Sequence, residues 1–280
     1  MGLILLLLFL SRDDHTDTKP IEQAWSILQT NVDEKSADKR AKAVRALGLI
    51  EKNKRAESMA EKALSDSNAD VRAGAATALG AMQATGSKAR LENALLDNDV
   101  KVVLAAANAL YAMKDPAAYE VYYALLTGER KSSNGLVQNQ MARFKDRKQV
   151  EMLALQTGLG FVPFGGMSYE AWQTIRSNDT SSVRAAAALK LAHDPDPKTG
   201  EALAKMRFDK SWQVRLGVVD AIAQRKDPSL QDAVVTLMWD DSDAVRFEAA
   251  AAVVKLDEVK TSAERDRKKH PARSPGSFHH

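Results

Sequence analysis

A valine recurs at a fixed interval in this chain, and the interval dictates what the chain can fold into. A step of 31 residues leads from Val71 to Val102, and the same step leads from Val183 to Val214 and on to Val245. Five positions before each valine stand Asp66, Asp97, Asn178, Asp209 and Asp240. One position after stand Arg72, Val103, Arg184, Arg215 and Arg246. Ala75, Ala106, Ala187, Val218 and Ala249 follow at +4, and Leu79, Leu110, Leu191, Ile222 and Val253 at +8. Apolar residues at 0, +4 and +8 form one stripe along an α-helix. A unit this short cannot bury its apolar face alone, so it must stack on its neighbours.

A second marker keeps the same spacing. Asp-Pro occurs at Asp115-Pro116, Asp196-Pro197 and Asp227-Pro228, with steps of 81 and 31 residues. The valines step 81 and 31 over the same interval, from 102 to 183 to 214. Aspartate caps a helix, and proline is accepted at its first position. Each unit is therefore read as two helices: an outer one that starts at such a cap and an inner, alanine-rich one that starts at the valine. About seven pairs are expected. The first inner helix is DKRAKAVRALGLI, with Lys39 at the valine position and Arg40 matching Arg72. The interval of 81 equals one unit of 31 and one extended unit of 50, spanning 115–167. Its additional residues are read as an extra helix near Asp146–Thr157 and an apolar loop, 158–166, that packs Phe161, Val162 and Phe164 inward.

The D…VR..AA.AL blocks resemble the HEAT-like repeats, in the short variety first associated with phycobilisome lyases. The resemblance covers about Ile21 to Leu256. It implies an all-α fold: a right-handed, armadillo-like α-solenoid with outer helices on its convex side and inner helices lining a concave groove. The blocks also pose an electrostatic question. An arginine in the first turn of a helix faces the positive end of the helix dipole. The resemblance implies an answer, a ladder in which each arginine meets an aspartate of its own unit or the next. Its members here are Asp66, Arg72, Asp97, Arg184, Asp209, Arg215, Asp240 and Arg246. Val103 interrupts it, which fits a structural role better than an anion-binding one.

Beyond the solenoid, 21–257, lie two segments of other character. Residues 1–20 hold an apolar run, Leu3–Leu10, too short for a membrane span of about 20 residues. It suits the hydrophobic region of a signal peptide, although no basic residue precedes it; the other reading is an apolar end that packs on the first helix. The signal reading leans the location toward export, into a bacterial periplasm; otherwise the chain is cytoplasmic. Residues 258–280 form a basic tail rich in proline and serine at its end, expected to be a frayed helix end and then disordered.

Catalytic chemistry is sought and not found. The chain has no cysteine, which removes disulfides, thiolate metal sites and cysteine nucleophiles. Its five histidines, His15, His193, His270, His279 and His280, form no recurring His-Glu pair. Deoxyhypusine hydroxylases, a HEAT-like enzyme class, hold iron with such pairs, so no metal, cofactor or catalytic residue is assigned. The glycines of GLGFVPFGG lack the lysine-serine of a phosphate-binding loop, and no strand precedes them. The 40 basic and 37 acidic residues nearly balance, so a nucleic-acid partner is not implied by charge.

What remains is binding. The large inner-helix residues Leu104, Tyr111, Trp212, Leu216 and Phe247 are candidates for a partner-binding groove, the other reading being that they pack between helices. Trp25, Trp172 and Trp239 fall on outer helices and are expected to fill the core. The function expected is a noncatalytic scaffold or adaptor that holds a protein or peptide in its groove. A lyase-like accessory that shelters a tetrapyrrole and a DNA-associated HEAT-like protein are the alternatives.

Overall fold

The structure, a computed structural model, describes residues 19–127 and 180–269. The N-terminal apolar run, the extra helix near 146–157, the 158–166 loop, Trp172 and the end of the tail lie outside the described residues. Among the described residues there are twelve α-helices and no strand. They are α1 (Pro20–Val32), α2 (Ala37–Ala46), α3 (Lys54–Ala63), α4 (Ala69–Ala81), α5 (Lys88–Ala94), α6 (Val100–Ala112), α7 (Ala117–Thr127), α8 (Ser181–Leu191), α9 (Pro197–Met206), α10 (Trp212–Arg225), α11 (Gln231–Val235) and α12 (Asp243–Lys269). None is long and apolar enough to cross a membrane.

Local chemistry starts and stops these helices. The side chains of Asn53, Asn68, Asp99 and Asp196 cap α3, α4, α6 and α9, each accepting a backbone N–H that has no partner inside the helix. Gln83, Lys114 and Lys226 then turn the chain out of α4, α6 and α10 with φ of 55°, 55° and 54°. The left-handed turn lets Ala84 N–H reach Leu79 O at 3.1 Å and Asp115 N–H reach Leu110 O at 2.8 Å, closing the helix end.

The inner helices form the core. Val71, Val102, Val214 and Val245 are almost wholly buried, as the stripe requires. Val183 is the exception, 61% exposed on α8. Inner helices come close because their contact faces are small. A Cβ on Gly80 would stand 2.8 Å from the Cα of Ala109 on α6, and one on Gly217 would stand 3.0 Å from Ala185 O on α8. Consecutive inner helices touch along their lengths, whereas consecutive outer helices scarcely meet. The inner side is thus the tighter one, and the stack curves toward it.

The order of helices in space departs from their order in sequence. Helix α12 packs against α10 and α11 and also against α1 and α2. The inner helices therefore run α8, α10, α12, α2, α4, α6, with the last described unit stacked on the first. Ala249 to Leu256 are buried without interruption, Lys255 included, because α12 is covered from both sides. The helix also continues to Lys269, so residues 258–269 are helical rather than part of a disordered tail; residues 260–269 are exposed.

Candidate functional site: the ladder and the concave face

The ladder arginines and aspartates come together, each rung joining two units. Arg72 donates from Nε and Nη2 to the two carboxylate oxygens of Asp97, at 2.7 and 2.8 Å. Its Nη1 donates back to the carbonyls of Asp66 and Ser67. Arg40 holds Asp66 in the same way at 2.9 and 2.8 Å, and Arg215 holds Asp240 at 2.6 and 2.7 Å. Arg184 pairs with Asp209. Each of these aspartates also accepts a backbone N–H two residues on, from Asn68, Asp99, Ser211 or Ser242, which fixes the turn. The early arginine is thereby explained: a fork-shaped donor satisfies its own turn's carbonyls and the next turn's carboxylate at once. The hydrogen bonds from Arg40 hold Asp66 below the usual carboxylate range. Burial alone would push Asp97 and Asp240 up, yet their arginines and the backbone N–H groups bring both down.

Arg246 ends the ladder differently. Its Nη1 binds the carbonyls of Asp240 and Asp241, but its Nη2 turns back to Asp243 on its own helix. At Val103 the missing arginine is replaced by an apolar side chain that is buried.

The groove candidates separate. Leu104 is fully buried and Phe247 is 1% exposed, so neither lines a groove. Trp212 and Leu216 are half-buried against the core. Tyr111 is 54% exposed, and its ring meets those of Tyr119 and Tyr122 edge-on at 5.7 Å. Tyr122 donates to Asn108 Oδ1 at 2.6 Å, and burial, with Tyr111 adding to it, pushes its hydroxyl up to about 12. The correction is one of angle. Each helical residue turns about 100°, so position +2 lies about 200° from the valine, toward the neighbouring inner helix. The outward positions centre nearer 270°, at −1, +6 and +10 and only in part at +3, where Gly74 and Gly217 instead press on the preceding inner helix. Among the outer-helix tryptophans, Trp25 packs against the core with Arg55 4.3 Å from its ring centre. Trp239 is 62% exposed: it stands in the 3₁₀ turn Thr236–Trp239 just before Asp240, which carries its side chain off the packed face.

Read at the concave positions, the inner helices present polar chemistry. Lys101 bridges to Asp70 at 2.5 Å, and Lys42 to Asp38 at 2.7 Å. Thr77 and Arg45 are exposed at +6. Asp220 of α10 and Glu248 of α12 face each other across neighbouring inner helices, each half-buried. Burial pushes Asp220 up to about 6, against the opposing pull of Lys255. Burial and then the charge of Asp220 push Glu248 well above the usual range, with Arg45 and Lys255 opposing. The two carboxyls, from neighbouring helices, therefore resist being charged together. Both acidic residues stand in the sequence, but nothing in the repeat pattern says that they meet.

Beside this pair the last unit meets the first. Lys255 Nζ donates to Glu51 at 2.9 Å, Lys226 Nζ reaches the same carboxylate at 3.3 Å, and Asn53 donates to Glu258 at 2.5 Å. The bond from Lys255 draws Glu51 below its ordinary range. Among the described residues, no group of three or more histidines and carboxylates is placed to hold a metal ion.

Comparison with known proteins follows this geometry. HEAT repeats match residues 26–111, 62–133 and 171–259, well over half of the chain. No curated protein sequence matches it. Among solved structures, the complex of CpcE and CpcF of phycocyanin lyase from Nostoc is similar at 19% identity and a TM-score of 0.33, over 90% of this chain and 100% of that one. Human deoxyhypusine hydroxylase is similar at 18% identity and a TM-score of 0.29, over 84% of both chains. An engineered protein is similar at 18% identity and a TM-score of 0.29, over 84% of this chain and 97% of that one. The family match, the paired helices and the arginine–aspartate rungs agree: the chain belongs to the HEAT repeat family.

Proposed function

We propose that this protein is a noncatalytic scaffold whose concave face holds an extended polypeptide. One observation supports the reading: inner helices from both halves of the sequence stack in series, and at their outward positions they carry polar and charged side chains, Arg45 and Thr77 exposed and Lys42 and Asn108 half-buried. Such a lining offers donors and acceptors at intervals along its length, which suits a backbone and mixed side chains. A tetrapyrrole asks instead for an enclosed, mostly apolar pocket. A nucleic acid asks for one sign of charge, and this face carries both.

The test is a photo-crosslinking residue placed at Thr77, on the concave face, and separately at Lys62, on outer helix α3. The expected result is a discrete polypeptide captured from cell extract at Thr77 and not at Lys62. Equal capture at both positions, no capture at Thr77, or capture of nucleic acid there overturns the proposal. A visible absorbance change on mixing with bilin or haem would favour the tetrapyrrole reading in its place.

A further inference from the structure

The described interfaces between neighbouring inner helices differ in what holds them. Those between α2 and α4 and between α8 and α10 combine a glycine at near-contact distance with an arginine–aspartate rung. Gly74 lies against Ala41 O and Gly217 against Ala185 O, while Arg40 holds Asp66 and Arg184 pairs with Asp209. The α4–α6 interface does the same with Gly80 and the Arg72–Asp97 rung. The α10–α12 interface keeps the Arg215–Asp240 rung, 11% and 5% exposed.

The interface of α12 with α1 and α2 has neither device. Arg246, the arginine that would form its rung, is bound to Asp243 of its own helix. The glycine of the α2 region, Gly48, faces Ala78 and Ala81 of α4, away from α12. Across this seam Glu51 serves both Lys255 and Lys226, Asn53 donates to Glu258, and Arg45 lies near Glu248. Two flexible ammonium groups on one carboxylate lack the forked geometry of an arginine rung. Glu51 and Lys226 are 42% and 51% exposed, so water and salt weaken the second of these pairs.

We propose that this seam is a joint: the contact between the first and last described units opens before the other described interfaces between inner helices, and Glu51 governs its opening. The concave face crosses the seam, with Arg45 on one side and Glu248 and Lys255 on the other. Opening therefore splits the face in two, and closing assembles it. The polypeptide-binding role proposed above is not required for this. Local opening at a single interface is general behaviour of repeat stacks, whose stability divides among units and their interfaces.

The chain has no cysteine, so labels can be placed freely. One fluorescent pair spans the seam, at Ser58→Cys and Asp232→Cys. A control pair spans ordinary units, at Ser58→Cys and Asn93→Cys. Energy transfer in each full-length protein is followed through a urea titration beside helicity by circular dichroism. The expected result is that transfer across the seam falls at lower urea than transfer in the control pair or helicity. Glu51→Lys moves only the seam transition further down, and Glu51→Asp leaves it near the unsubstituted midpoint. Coincident transitions for both pairs and helicity overturn the proposal, as does a Glu51→Lys shift that is equal in both pairs. The comparison of the two pairs in the unsubstituted sequence stands even if the variant fails to fold. No partner is present in this experiment, so its failure would leave the polypeptide-binding reading to its own test.

Discussion

Single residues set two opposed dependences on pH. The rung aspartates Asp66, Asp97 and Asp240 lie below their ordinary range when folded. The stability they add is present above the unfolded value of 3.8 and is lost as pH falls through and below it. Asp220 and Glu248 act the other way. Their folded values are raised, so the folded chain keeps a proton that the unfolded chain releases, and stability falls as pH rises from the ordinary carboxylate range through about 6. Asp220→Asn removes one of the two charges and leaves an amide able to donate to Glu248. It is expected to stabilise the fold at pH 8 by about 1–3 kcal/mol and to have little effect near pH 4, read from urea unfolding at the two values. A gain of equal size at both values would show that the two carboxyls do not raise one another in the folded state. At this scale the sequence was half legible. The rungs could be foreseen because aspartate and arginine recur in step with the repeat. The carboxyl pair could not, because Asp220 and Glu248 occupy different positions in their units and meet only through packing.

At the scale of elements, close approach decides. Glycine inside a helix costs about 1 kcal/mol relative to alanine, so Gly80→Ala would stabilise an isolated α4. In the stack the added methyl group would stand 2.8 Å from both Cα and Cβ of Ala109. The crowding is expected to win, with a net loss of about 1–3 kcal/mol in thermal or urea unfolding. Gly86→Ala, where the nearest atom would be the end of the Glu57 side chain at 3.4 Å, serves as the tolerant control. A net gain for Gly80→Ala would mean that α4 and α6 stand further apart than described. The helices themselves were legible from the valine stripe and the Asp-Pro caps. Their ends were less so, because Gln83, Lys114 and Lys226 take the left-handed conformation usually marked by glycine. The large residues at +2 misled for a related reason: Leu104 and Phe247 are placed by neighbouring helices, and a single-helix wheel does not contain those neighbours.

At the scale of the molecule, the closure of the last unit on the first was invisible in the sequence. A repeat shows that neighbours stack, and every unit carries the same marks, so nothing in the pattern says that the two ends are also neighbours. The consequence for truncation is direct. In an open stack, removing the last unit trims one end. Here α12 lies in the middle, between α10 on one side and α1 and α2 on the other. Deletion of 241–280 is expected to abolish the cooperative thermal transition of the whole chain and to expose apolar surface, read by circular dichroism and dye binding. Deletion of 260–280 removes only exposed helix and tail and should leave the transition nearly unmoved. If the larger deletion left the remaining helices melting as before, α12 would be a terminal cap rather than a central member.

The position of α12 also bears on how the chain is made. Helix α1 leaves the ribosome among the first parts of the described structure, and α12 is the last helix to follow. At about 5–20 residues per second, the interval between them is on the order of 10–40 s. Throughout synthesis the first unit is therefore without its neighbour on one side, and Ala24 and Leu28 wait for a surface that does not yet exist. The last described helix is the piece that turns two nascent half-stacks into one body, so the described stack is completed only once α12 has emerged.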